Sequence, residues 1–218
     1  MSLFTYIILI TICLAILIAL LWRLTSRRYE LPCPAWLYWM VEFDNPFTKT
    51  NRAESIIEHL DLEPGMTLLD AGCGPGRLTI PAAKRVGSKG HIVAMDVQDE
   101  MLLRTRKKSH AEDLVNIEFL HAKIGDGKLG KNRFDRALLV TVLGEIPDRD
   151  KALKEILDSL KPGGILSITE VVFDPHFQSR SKVSHLAFKA GFEIKSVFGN
   201  RLAFTMNVRK PFHNRGKI

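Results

Sequence analysis

Hydrophobic and polar positions along this chain fall into two regimes. Residues 3–22 (LFTYIILITICLAILIALLW) carry no charge. At ~1.5 Å of rise per residue, a helix of that length reaches roughly 30 Å, the hydrocarbon thickness of a bilayer. From about residue 50 onward, short apolar runs alternate with amphipathic ones. The runs 66–69, 91–95, 117–120, 134–140, 165–171, 192–198 and 202–208 predict strands, and 52–60, 78–86, 100–109, 148–160 and 181–190 predict helices. A Gly/Lys-rich loop, GDGKLGKN, breaks the rhythm after Lys123, where a short helix is missing or degenerate. Only Gly199, Asn200 and Arg201 separate the last two strands, a tight hairpin signal. The alternation predicts an α/β fold: a doubly wound, mostly parallel seven-stranded sheet with helices on both faces and an antiparallel C-terminal hairpin.

The uncharged N-terminal run predicts a transmembrane helix in addition. A cleaved signal peptide would show a basic start, a shorter apolar core and small residues at its end. Here no Lys or Arg precedes the run, which closes on Leu20, Leu21 and Trp22. Arg23, Arg27 and Arg28 follow immediately. Basic flanks stay on the cytoplasmic side, so the rest of the chain is expected in the cytoplasm, as a single-pass membrane protein. Three segments result: an anchor over 1–24, a juxtamembrane segment over 25–50, and a domain over 51–218. The middle segment sets Pro32, Pro34 and Pro46 around Trp36, Tyr38 and Trp39. Those aromatics suit the lipid headgroup layer, packing on the domain, or a lid over its pocket.

The formal charge of +7 changes this picture little. The basic residues are dispersed through Arg104, Arg106, Lys107, Lys108 and a tail of Arg209, Lys210, Arg215 and Lys217. Attraction to anionic membrane lipids accounts for them, and no nucleic-acid-binding motif accompanies them. Cys13, Cys33 and Cys73 form no metal-ligand spacing, so no metal is expected.

The candidate chemistry lies in "LLDAGCGPGRLT" over 68–79, a glycine loop at the end of the first predicted sheet strand. In an open α/β sheet that is where ligands bind. A dinucleotide fingerprint would place a third glycine at Arg77, and a phosphate loop would end in Gly-Lys-Ser/Thr. Neither is present. The pattern Asp70-Ala71-Gly72-Cys73-Gly74-Pro75-Gly76 instead resembles motif I of the class I S-adenosylmethionine-dependent methyltransferases. Further matches follow in order: Asp96 ending "HIVAMD", the fourth-strand turn in "FDRALLVTVLGEIPD", and "LKPGGILSITE". The resemblance covers roughly residues 50–210 and implies a Rossmann-like fold with S-adenosyl-L-methionine as cofactor. It assigns the amino-acid end to Asp70, Ala71, Gly72, Cys73, Gly74 and Gly76, and the ribose to Asp96 with Val97 beside it. Ala122, Lys123 and Ile124 fall at the adenine, and Thr141 near the methyl group. Lys123 stands where the family often has an acid, with Asp126 as a substitute.

Methyl transfer is an in-line displacement in which holding the acceptor in place does much of the work, so no catalytic base is compelled. Glu145, Tyr38 and His176 are the candidates, with Glu170 at the same sheet edge. Glu145 suits a pocket carboxylate and an exposed turn residue equally. The anchor favours a small lipophilic or lipid acceptor at the membrane surface. A protein or RNA acceptor, or a non-catalytic membrane-tethered cofactor-binding scaffold, stays open.

Overall fold

The computed structural model describes residues 2–29, 42 and 51–212. The aromatic segment with Trp36, Tyr38 and Trp39 lies outside the described residues, as do Arg215 and Lys217 of the tail. Helix α1 (Leu3–Tyr29) takes up the uncharged N-terminal run. A crossing helix needs about 18 or more continuous apolar residues. Among the described residues no helix is long and apolar enough to cross a membrane. The transmembrane helix expected over 3–22 is therefore not found.

After α2 (Ala53–His59) comes a Rossmann-like alternation. Its elements are β1 (Thr67–Ala71), α3 (Thr79–Val86), β2 (His91–Asp96), α4 (Asp99–Ala111), β3 (Ile117–His121) and β4 (Phe134–Val140). A 3₁₀ turn (Leu143–Glu145), α5 (Arg149–Ser159), β5 (Leu160–Val171), α6 (Arg180–Ala190), β6 (Glu193–Gly199) and β7 (Ala203–Arg209) follow. The seven strands lie in the order β3-β2-β1-β4-β5-β7-β6. β7 runs antiparallel to both neighbours, while the other pairings are parallel. Strand order reverses between β1 and β4, and the loops leaving their carboxyl ends diverge to open a crevice.

Burial on both faces explains why these strands read as apolar runs rather than alternating ones. On one face Leu69, Leu139, Leu166 and Ile168 pack against Leu153 and Ile156 of α5 and Val183 and Ala187 of α6. On the other, Leu68, Ile92 and Leu138 meet Ile56 and Ile57 of α2 and Ala82, Ala83 and Val86 of α3. Caps set the helix starts: the Asp148 side chain accepts from Lys151 N at 3.0 Å, and Ser179 accepts from Lys182 N. Gly191 ends α6 in the left-handed conformation at φ 102°.

Two boundaries differ from those predicted. The helix expected over 148–160 stops at Ser159, and Leu160 already pairs with Phe134. The Lys161-Pro162-Gly163-Gly164 stretch, which resembles a turn, falls within β5 as a bulge. Leu160 pairs with Phe134 and Ile165 with Arg136, so residues 161–164 bulge out of the ladder with Gly163 at φ 78°, and the bulge is fixed where Gly163 N donates to Lys210 O and Lys210 N donates to Gly164 O. The Gly/Lys loop after β3 forms no helix, yet it is fixed. Glu155 of α5 accepts from Gly125 N and from Leu129 N, and Leu129 is fully buried.

Candidate functional site

A cavity of about 500 Å³ occupies the crevice at the strand ends. That is within the range of small-molecule sites, roughly 300–1,000 Å³. Its floor is the glycine loop. Gly72 N and Cys73 N both donate to Met95 O, at 2.8 and 2.9 Å, which folds the end of β1 onto β2. A Cβ on Gly72 would fall 2.5 Å from Val142 Cγ2, so the loop needs glycine to sit under the β4 turn. At Gly74, with φ 53°, a Cβ would meet nothing within 4 Å, leaving backbone open to the cavity. From α4, the Thr105 hydroxyl donates to Gly74 O (2.9 Å) and Lys108 Nζ to Pro75 O (2.7 Å).

Two carboxyl groups bracket this loop. Asp70, on β1, is 3% exposed and accepts from Thr79 Oγ1 at 2.6 Å. Burial pushes its pKa up to about 6; the Thr79 bond and the Arg77 charge pull against that, while Asp96 adds to it. Asp96, ending β2, accepts from Gly74 N and Gln98 N, each at 2.9 Å. Burial still raises it above the ordinary aspartate value, against those backbone bonds. Cys73 is buried, and its thiol is pushed well above the usual range, so it remains protonated.

The structure brings most of the sequence-predicted residues together. Asp70, Gly72, Cys73, Gly74, Asp96 and Val97 line the cavity. So do Ala122, Lys123, Ile124 and Asp126 on one side, and Thr141 and Glu145 on the other. Three do not. Ala71 is in the sheet core, and Gly76 is packed where a Cβ would strike Thr105 at 2.8 Å. His176 is buried behind the 3₁₀ turn, outside the cavity lining. Tyr38 lies outside the described residues. Sequence reasoning missed Thr79, Thr105, Lys108 and Glu155. Each acts across the fold through hydrogen bonds, two of them in the case of Glu155, and only the place of Thr79 in the turn opening α3 hinted at contact with the loop.

Thr141 closes β4 at φ 55°, a left-handed conformation that β-branched residues avoid. Its N donates to Thr169 O at 2.9 Å and its hydroxyl to Val140 O at 2.8 Å. Such strain costs about 1–3 kcal/mol and concentrates at functional sites. Thr141→Gly should therefore raise the unfolding free energy by roughly 1 kcal/mol, net of the entropy glycine costs. Urea melts of the two proteins check this. A less stable glycine variant would mean that the side chain's contacts outweigh the strain.

The donor set fits S-adenosylmethionine. The Asp96 carboxylate could accept from ribose hydroxyls, Asp70 could face an ammonium, and open backbone at Gly74 would admit an amino-acid tail. Apolar Val97, Met101 and Ile124 flank the space beyond Asp96, where a base would lie. A model of the family described as "Methyltransferase domain" matches residues 62–203. The ubiquinone/menaquinone biosynthesis C-methyltransferase UbiE of Vibrio vulnificus strain YJ016 is 34% identical over 116 residues, 51% of this chain and 45% of that protein. A demethylmenaquinone methyltransferase of Listeria welshimeri is 29% identical over 142 residues, 65% of this chain and 58% of that protein. The chain thus spans about half the length of the curated relatives it matches. A solved S-adenosylmethionine-dependent methyltransferase from Aquifex aeolicus superposes with a TM-score of 0.73 at 23% identity, covering 82% of this chain and all of that one.

Proposed function

Since this chain belongs to the class I S-adenosylmethionine-dependent methyltransferase domains, we propose that it methylates a small lipophilic acceptor of the quinone type at a membrane surface. The observation that carries the reading is the pair of buried carboxyl groups, Asp70 and Asp96, bracketing an open glycine backbone in one cavity. When bound, S-adenosylmethionine supplies an activated methyl group on a sulfonium. Asp96 would hold the ribose, Asp70 and the Gly72–Gly74 backbone the amino-acid end, and the 122–124 backbone the adenine. Lys123 and Asp126 flank that last contact. On the far side Val142, Ile146 and Pro147 make an apolar wall with Glu145 at its edge, suited to a flat lipophilic acceptor with a polar substituent. Fixing such an acceptor in line supplies much of the rate, because effective molarities of well-oriented pairs reach about 10⁵ M or more.

Two findings support the lipophilic acceptor and the membrane. Relatives carry quinone-methylating names. Helix α1 exposes Phe4 (71%), Ile10, Leu14, Ile18, Leu21 and Leu24, apolar surface that water does not stabilise and lipid would. Arg23, Arg27 and Arg28 add attraction to anionic lipid headgroups. The test incubates membranes carrying the full chain with methyl-labelled S-adenosylmethionine and sorts label into lipid, protein and RNA. Label in an extractable isoprenoid fraction is expected. Label in protein or RNA overturns the acceptor class, and none anywhere leaves a cofactor-binding scaffold.

A further inference from the structure

One buried carboxyl group stands outside the cofactor cavity. Glu170, near the end of β5, is 1% exposed. Its Oε2 accepts from Gln178 N at 2.8 Å, but among the described residues its Oε1 has no partner, nor has Gln178 Oε1. A carboxylate here would leave two unpaired acceptors out of reach of water, whereas a carboxylic acid turns one of them into a donor. Burial above all pushes its pKa up to about 8, with the Gln178 N–H pulling it down. Asp174 of the β5–α6 loop and Glu145 of the 3₁₀ turn raise it further, and Arg149 of α5 lowers it. His176 shares the loop, and Arg180 of α6 lies over Phe204, the β7 residue paired with Glu170.

The loop bonded to Glu170 is wedged against the cavity wall. Gln178 Nε2 donates to His176 O. That same carbonyl oxygen lies where a Cβ on Gly144 would come within 2.0 Å of it. From the other side, Arg149 Nε and Nη2 donate to Leu143 O (2.9 Å) and Gly144 O (2.6 Å). The 3₁₀ turn is thus held between the loop and α5, and the adjoining Glu145 and Ile146 line the cavity.

We infer that Glu170 is a positioning residue: as a neutral acid it seats the 174–178 loop on the 3₁₀ turn, and losing its proton loosens the acceptor side of the cavity. The inference rests on the reading that the acceptor binds beside this turn. Its effect should reach the acceptor and spare the cofactor, whose contacts come from β1, β2 and the 122–124 loop.

Hydrogen–deuterium exchange of the full chain tests it without any acceptor. Between pH 7 and pH 9.5, after correction for intrinsic rates, wild-type protection over 143–146 and 174–178 should fall at least tenfold more than in the β4 core. Glu170→Gln, which has no proton to lose, should show no such excess. Glu170→Met, lacking the acceptor for Gln178 N, should be loose at both pH values alike, and either variant alone suffices. Titration with S-adenosylmethionine should give the same Kd within twofold for wild type and Glu170→Gln at both pH values. A variant that follows the wild-type pH dependence, or a wild type with none, overturns the inference. A failed membrane-labelling assay sinks the acceptor reading instead and leaves the exchange result legible on its own.

Discussion

Asp96→Ala should weaken S-adenosylmethionine binding at least 100-fold while leaving a folded protein. The carboxylate does two things at once. It accepts from Gly74 N and Gln98 N, each at 2.9 Å, fixing the glycine loop against the start of α4. It is also the group assigned to the ribose hydroxyls, which would add bonds of the same charge-assisted kind. Bonds to a charged acceptor contribute about 1.5–3 kcal/mol each. Losing the ribose pair alone therefore exceeds the roughly 2.7 kcal/mol that a 100-fold change requires. Freed Gly74 N and Gln98 N border an open cavity, where water can satisfy them, so the fold should lose only about 1–2 kcal/mol. Asp96→Asn keeps one acceptor oxygen and should lie between wild type and alanine. Calorimetric titration checks the series, with circular dichroism for the fold. An alanine variant binding within threefold of wild type would remove Asp96 from the ribose.

What the chain discloses before folding is whatever depends on local pattern. Asp70, the glycines and Asp96 are readable because a close backbone approach, and an acid at each of two strand ends, leave marks at fixed spacings. The order of strands and helices is readable for the same reason, since burial on both faces makes each strand a run. Contacts made across the fold leave no such mark. Glu155 looks like one more polar position of α5, yet its two backbone bonds hold the loop that flanks Lys123 and Asp126. Thr105 and Lys108 likewise read as the polar face of α4, and they clamp Gly74 and Pro75. Lys161-Pro162-Gly163-Gly164 reads as a turn and does bend the chain, but as a bulge inside β5 that Lys210 pairs with, a contact no local pattern announces. His176 looked like a candidate for acceptor chemistry from its place after β5. Its backbone carbonyl meets the wall of the site through Gly144.

The stability of the cofactor-free chain should carry a pH dependence that two single substitutions separate. An acid held above its ordinary value when folded keeps its proton more tightly in the native state. Between the unfolded and folded values the native state binds more protons, so unfolding becomes easier as pH rises. For Glu170 the contribution is complete below its ordinary value of 4.5 and is lost as pH climbs through about 8. For Asp70 it is complete below 3.8 and lost by about 6. Linkage over the Glu170 window amounts to about 5 kcal/mol. Urea melts at intervals from pH 4.5 to 9.5 should show Glu170→Gln gaining on wild type throughout that window and holding its lead above it. Asp70→Asn should flatten only the lower limb, because its window closes about two pH units earlier. Parallel curves for Glu170→Gln and wild type would mean that the Glu170 carboxylate finds partners or water on ionising. In that case the loop on Gly144 would have no reason to move. A divergence on the upper limb, with cofactor affinity constant, ties the lost stability to the acceptor wall rather than to the glycine loop.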